Sequence, residues 1–173
     1  GARRAPLAGD ASNRKYQRLW RGAETAVLMD AAPELGEDVR PFVAVARWLS
    51  GLGLSAPRIL AEDPAHGFLL IEDLGDDLFA RVVARDAKAE MPLYRAAVEV
   101  LLTLHSAAPM AGLAAYDAAT MVPLAALAYD WYLGESRGPN EAGKAEFCAA
   151  LAPVLARHCD CSVTILRDYH AEN

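Results

Sequence analysis

Residues 165–173 read Ile165-Leu166-Arg167-Asp168-Tyr169-His170-Ala171-Glu172-Asn173. An Asp and an Asn stand five positions apart, behind an Arg and a short apolar run. Residues 162–167 read as a strand that delivers Asp168 onto a polar loop. An acidic residue in a tight loop most often caps or turns it, because its carboxylate reaches nearby backbone N–H groups. The spacing to Asn173 gains meaning only from what the chain builds in front of it.

That front reads as sheet. Leu7-Ala8-Gly9-Asp10-Ala11-Ser12-Asn13 is small, polar and turn-prone. Arg14 to Arg21 alternates, with Tyr16, Arg18 and Trp20 on one face and Gln17 and Leu19 on the other. A turn at Gly22-Ala23-Glu24-Thr25 leads into the apolar strand Ala26-Val27-Leu28-Met29, so residues 7–30 form a hairpin unit. A helix over 39–52 follows, with Val39, Phe42, Val43, Ala46 and Leu49 at helical spacing. Pro41 fits only its first turn, and Gly51 and Gly53 mark its end. Strands over 58–62 and 67–72 flank the turn Asp63-Pro64-Ala65-His66.

After Asp73 the pattern is helical. Helices are predicted over 76–85, 90–107, 123–133 and 141–158. In the second, Tyr94, Ala97, Val98, Leu101 and His105 form one stripe, with His105 read as a structural residue facing the core. Leu74-Gly75 is the hinge between a β-β-helix-β-β front, residues 1–73, and a helical back, residues 74–173. The fold class is α+β.

Composition narrows the partners. The chain has 173 residues, 54% of them hydrophobic and 23% charged, enough to bury a core. A net charge of -6 argues against a general nucleic-acid or anionic-membrane binder, but leaves nucleotides open, since a few local groups grip them. No apolar stretch is long enough to be read as a membrane span, and no apolar segment follows the basic start as in a signal peptide. Three cysteines, an odd count, fit a reducing cytoplasm better than a disulfide scaffold. His158-Cys159-Asp160-Cys161 lacks the second ligand pair of a metal clip and reads as local structure.

The whole pattern resembles the kinase-like fold, and most closely the aminoglycoside phosphotransferase family. Within it, the chain is similar to bacterial sugar kinases that phosphorylate the anomeric hydroxyl of N-acetylmuramate and N-acetylglucosamine. The residues that carry the likeness are 8–16 (AGDASNRKY), 27–31 (VLMDA), Arg40-Pro41-Phe42, 67–75 (GFLLIEDLG), Leu104-His105 and 167–173 (RDYHAEN). The terminal stretch matches the kinase catalytic loop H-R-D-x-x-x-x-N. The resemblance implies that Asp168 accepts the substrate hydroxyl proton and that Asn173 holds a magnesium ion.

Other roles follow from the same likeness. The loop at Gly9, Asp10, Ala11 and Ser12 is small enough to bring backbone N–H groups to phosphates, although Asp10 adds a negative charge. Backbone groups of Glu72 and Leu74 are expected at the adenine edge. The lysine that a kinase carries on its third strand is missing: Met29 occupies its place, and Lys15, Lys88 and Lys144 lie elsewhere. The helix that normally supplies its partner has no carboxylate between Arg40 and Leu52. Arg14, Lys15 or Arg18 could supply the positive charge instead, or could be ordinary exposed strand residues. His170 reads as structural. Tyr129-Asp130-Trp131-Tyr132 could stack and hydrogen-bond a sugar, with Asp130 and Trp131 as contacts, or could be core aromatics.

The expected function is transfer of the ATP γ-phosphate, with Mg2+, to a hydroxyl of an amino sugar of cell-wall recycling. The partners are then a nucleotide and a small sugar, with no nucleic acid and no membrane, in the cytoplasm. Another small alcohol, such as an aminoglycoside or choline, is the alternative acceptor. A catalytically inactive nucleotide-binding module is the rival of a different class. A kinase carries a second metal-binding aspartate after this loop, so the native protein is expected to be longer than 173 residues.

Overall fold

The computed structural model describes residues 3–7 and 13–172, the side chain of Ser136 excepted. Five antiparallel strands form one sheet in the order β1-β2-β3-β5-β4. They are β1 (Arg3–Pro6), β2 (Lys15–Arg21), β3 (Glu24–Asp30), β4 (Ile59–Asp63) and β5 (Phe68–Glu72). Four of these match the sequence reading; β1 is an addition. It pairs with β2, with Arg3 opposite Trp20 and Pro6 opposite Gln17. An edge strand needs no donor on its outer side, so Pro6 is tolerated at its end. The Arg3 guanidinium lies 4.1 Å from the Trp20 ring centre, a cation–π contact that helps hold the edge.

The helix α1 (Arg40–Gly51) joins β3 to β4 and covers one face of the sheet. Strand alternation explains which face. Val27 and Met29 point the same way on β3, and their register partners Ile71 and Leu69 do so on β5. Together with Ala31, Val39 and Val43 they make the core. Met29 and Leu69 are fully buried, and each large apolar side chain so buried contributes about 1.5–3 kcal/mol. The chain leaves α1 through Gly53, whose φ of 77° suits glycine.

The back is helical, as expected: α2 (Phe79–Arg85), α3 (Glu90–Ser106), α4 (Ala118–Leu127), a π-helical turn at Ala128–Leu133, α5 (Gly134–Arg137) and α6 (Glu141–His158). Two compact units result, one of Gly1–Thr103 with Arg167–Asn173 and one of Leu104–Leu166. In the second unit α6 packs on α4, and Tyr129 meets Phe147 at 5.5 Å between ring centres. Asp117 caps α4 through the Thr120 N–H, and Asn140 caps α6 through the Gly143 N–H.

Two expectations need correction. Residues 162–167 form no strand; they run as irregular chain, pinned by the buried Thr164, whose Oγ1 accepts from the Met110 N–H. An apolar run becomes a strand only beside a partner, and none of the five strands pairs with it. On α3, the less exposed line is Leu93, Ala97, Val100, Leu101 and Leu104, while Tyr94, Val98 and His105 are exposed. Apolar residues surround this helix on several faces, so periodicity alone did not choose the buried one.

Candidate active site

The Arg167-Asp168 loop belongs to the first unit and is tied to that unit's helices. The Ala171 carbonyl accepts the Ala80 N–H of α2 at 3.0 Å. The Tyr169 hydroxyl donates to the Ala97 carbonyl of α3 at 3.2 Å. Asp168 projects from this tethered turn with 79% of its side chain exposed. His170 Nε2 lies 3.2 Å from Asp168 Oδ1, and His170 Nδ1 accepts the Glu172 N–H at 3.2 Å. Asn173, expected as the metal ligand, lies outside the described residues, as do Gly9, Asp10, Ala11 and Ser12.

Arg14 leaves that loop as its first described cation, just before β2. Its Nε donates to Glu37 Oε2 at 2.8 Å, and the neighbouring Asn13 N–H donates to Glu37 Oε1 at 3.3 Å. Hydrogen bonding to Glu37 and the attraction of its charge raise the Arg14 pKa further, against the opposing effect of partial burial. Glu37 sits in the connection between β3 and α1, ahead of the helix itself. A cation–carboxylate pair is therefore present, but it joins the start of β2 to the approach of α1. Met29, in the place of the absent lysine, is wholly buried against α1, where an ammonium group would have no water. Glu37 escaped the sequence reading because its partner is 23 residues away and nothing local marks it.

Arg18 does something else. Its Nη1 and Nη2 donate to Asp76 at 2.7 and 3.0 Å, and Nη2 also donates to Asp73 Oδ1 at 3.0 Å. Its Nε is 2.8 Å from Asp73 Oδ2 but lacks the alignment of a hydrogen bond, so that contact is coulombic. Burial pushes the Asp73 carboxyl up. The Gly75 N–H, Arg18 and the Thr25 hydroxyl outweigh this and hold it below the usual carboxylate range. Arg18 thus latches β2 to the segment that follows β5, with its charge matched by two carboxylates.

At the end of β5, the Glu72 N–H is taken by the Arg58 carbonyl and the Glu72 carboxylate by Arg58. Leu74 is exposed, and its backbone makes no hydrogen bond among the described residues. In the second unit, Asp130 is gripped by Lys144 Nζ at 2.6 and 2.7 Å. Trp131, beside it on the π-helical turn, is 68% exposed and so is no core residue. π-Helical turns occur often at functional positions. Among the described residues no three His, Cys, Asp or Glu side chains converge as a metal site, and no helix is long and apolar enough to cross a membrane.

An antiparallel sheet with one helix on its face, a run of helices after it and a tethered Arg-Asp loop define a kinase-like α+β chain. A sequence profile of the phosphotransferase enzyme family matches residues 3–173, and the chain belongs to that family. An N-acetylmuramate/N-acetylglucosamine kinase of Caulobacter vibrioides is 38% identical over 212 aligned positions, covering 99% of this chain and 57% of the relative. Proteins of the same name from Pseudomonas aeruginosa and Pseudomonas putida are 37% and 36% identical over 80% and 75% of this chain, and 40% and 37% of their own lengths. The chain therefore spans less than two thirds of each of these relatives.

Proposed function

We propose that the protein is an ATP-dependent kinase of amino sugars, acting on a hydroxyl of N-acetylmuramate or N-acetylglucosamine. The observation that carries this reading is Asp168, held on a loop fixed at Tyr169 and Ala171 yet open to solvent. Such a carboxylate can orient an acceptor hydroxyl and receive its proton as the oxygen attacks the γ-phosphorus. The bond from that phosphorus to the bridging oxygen breaks, and ADP leaves. The transition state is loose, so positioning and charge neutralisation supply most of the rate. The relatives' name supports the substrate class.

The remaining roles belong to the same proposal. Residues 1–73 serve the nucleotide and residues 74–173 carry the acceptor side. Gly9, Asp10, Ala11 and Ser12 line the phosphates, with Arg14, steadied by Glu37, as the cation in place of the lysine. The backbone of Leu74, which makes no hydrogen bond among the described residues, suits the adenine edge together with that of Glu72. Asp130, fixed by Lys144, and the exposed Trp131 suit the hydroxyls and the apolar face of a sugar. Asn173 would help hold magnesium, which supplies charge neutralisation at the phosphates when bound. The work is placed in the cytoplasm, where ATP is available.

The test is ATP consumption by the full-length protein with amino sugars, choline and aminoglycosides, beside Asp168→Ala. Turnover with an N-acetylated amino sugar that falls at least about 100-fold in the variant is expected. Equal turnover by Asp168→Ala overturns the role of Asp168. Nucleotide binding without turnover on any acceptor favours an inactive module.

A further inference from the structure

We infer that His170 is a positioning residue for Asp168, acting through a fixed ring tautomer. The inference rests on the assignment of Asp168 as the group that takes the hydroxyl proton. The local geometry does not depend on that assignment. The Glu172 backbone N–H points at His170 Nδ1 at 3.2 Å. A ring nitrogen that accepts an N–H must present its lone pair, so Nδ1 is unprotonated and the neutral ring carries its hydrogen on Nε2. That nitrogen lies 3.2 Å from Asp168 Oδ1. The backbone two residues on thereby chooses which ring nitrogen offers a proton to the carboxylate two residues back.

The consequence is orientation. With 79% of its side chain in solvent, the carboxylate presents its oxygens outward, and their direction is set by rotation about χ1 and χ2. A donor anchored on Oδ1 restricts that rotation and favours one presentation of the group to an acceptor hydroxyl. The ring is held by the same loop that Tyr169 and Ala171 tie to α3 and α2, so the donor is placed by the fold. An error of about 1 Å in placing a catalytic group can cost about 100-fold in rate. His170 itself takes no proton from the substrate.

Two measurements on the full-length protein decide this. Nitrogen-15 NMR of labelled histidines reads the tautomer directly: His170 is expected with a protonated Nε2 and a pyridine-like Nδ1 near neutral pH. A protonated Nδ1 in the neutral ring overturns the inference whatever the enzyme does. In kinetics with ATP and N-acetylglucosamine, His170→Ala should lower kcat about 10- to 100-fold, with KM for both substrates within about twofold. His170→Gln, whose amide nitrogen can reach the same oxygen, should recover most of the loss. A loss confined to KM, or no rescue by Gln in a variant whose melting temperature is unchanged, contradicts it. If the wild-type protein turns over no sugar, the proposed function fails, while the NMR result still decides the tautomer.

Discussion

Single positions carry the argument furthest where one residue type replaces another. Met29 is the clearest. Its identity was readable as the absence of a lysine, but only the packed sheet shows why the lysine cannot simply be put back. Met29→Lys places an ammonium in a fully enclosed apolar site and should destabilise the protein by about 3–5 kcal/mol. A urea unfolding curve checks this; an unchanged midpoint would mean the site is wetter than its packing implies. Glu37 is the opposite case. Nothing in the sequence couples it to Arg14, because the pairing depends on where β2 and the approach to α1 meet in space. Glu37→Gln keeps the shape and removes the charge. It should leave the fold intact and raise the KM for ATP by about 3- to 30-fold in the turnover assay, the effect of weakening one charged contact. An unaltered KM would return Arg14 to the status of a surface strand residue.

Elements were legible where alternation or helical spacing was unambiguous, which is why β2, β3, β4, β5 and α1 match the reading closely. Short or unpartnered stretches were not. Arg3–Pro6 offers no alternation, and its strand exists because the free edge of β2 receives it. Residues 162–167 have the composition of a strand without a neighbour. The π-helical turn at Ala128–Leu133 leaves no sequence signature of its own. The turn between β4 and β5 was legible, but its tightest demand was not. Gly67 has φ of 75°, its carbonyl accepts the Ala31 N–H, and a Cβ there would collide with the Ala31 backbone. Gly67→Ala should therefore cost at least about 2 kcal/mol by thermal or chemical unfolding.

The pairing of Arg18 with Asp73 and Asp76 gives the end of β5 a pH dependence. The folded-state pKa of Asp73 is depressed, so its contribution is present above the unfolded value of about 4 and is lost as pH falls through the lower folded value. Between pH 7 and pH 3, Asp73→Asn should lose less stability than the wild-type protein, even though it starts from a lower value. Parallel losses in the two proteins would show that Arg18 gains nothing from that charge.

At the scale of the whole molecule, the order of the pieces was more informative than any one of them. A five-residue spacing at 168–173 is weak alone; behind a β-β-helix-β-β front and a run of helices it pointed to a family, and the family match over residues 3–173 agrees. Substrate and chemistry reach further than the fold, since the chain spans 57% of its Caulobacter vibrioides relative. The central claim is phosphoryl transfer from ATP to an amino sugar. Phosphorus NMR of the full-length protein with ATP, magnesium and N-acetylglucosamine or N-acetylmuramate tests it most directly. The account predicts a sugar phosphate appearing one-for-one with ADP, and neither product accumulating with Asp168→Ala. ADP accompanied only by inorganic phosphate, or an unchanged ATP spectrum with both sugars, would contradict it.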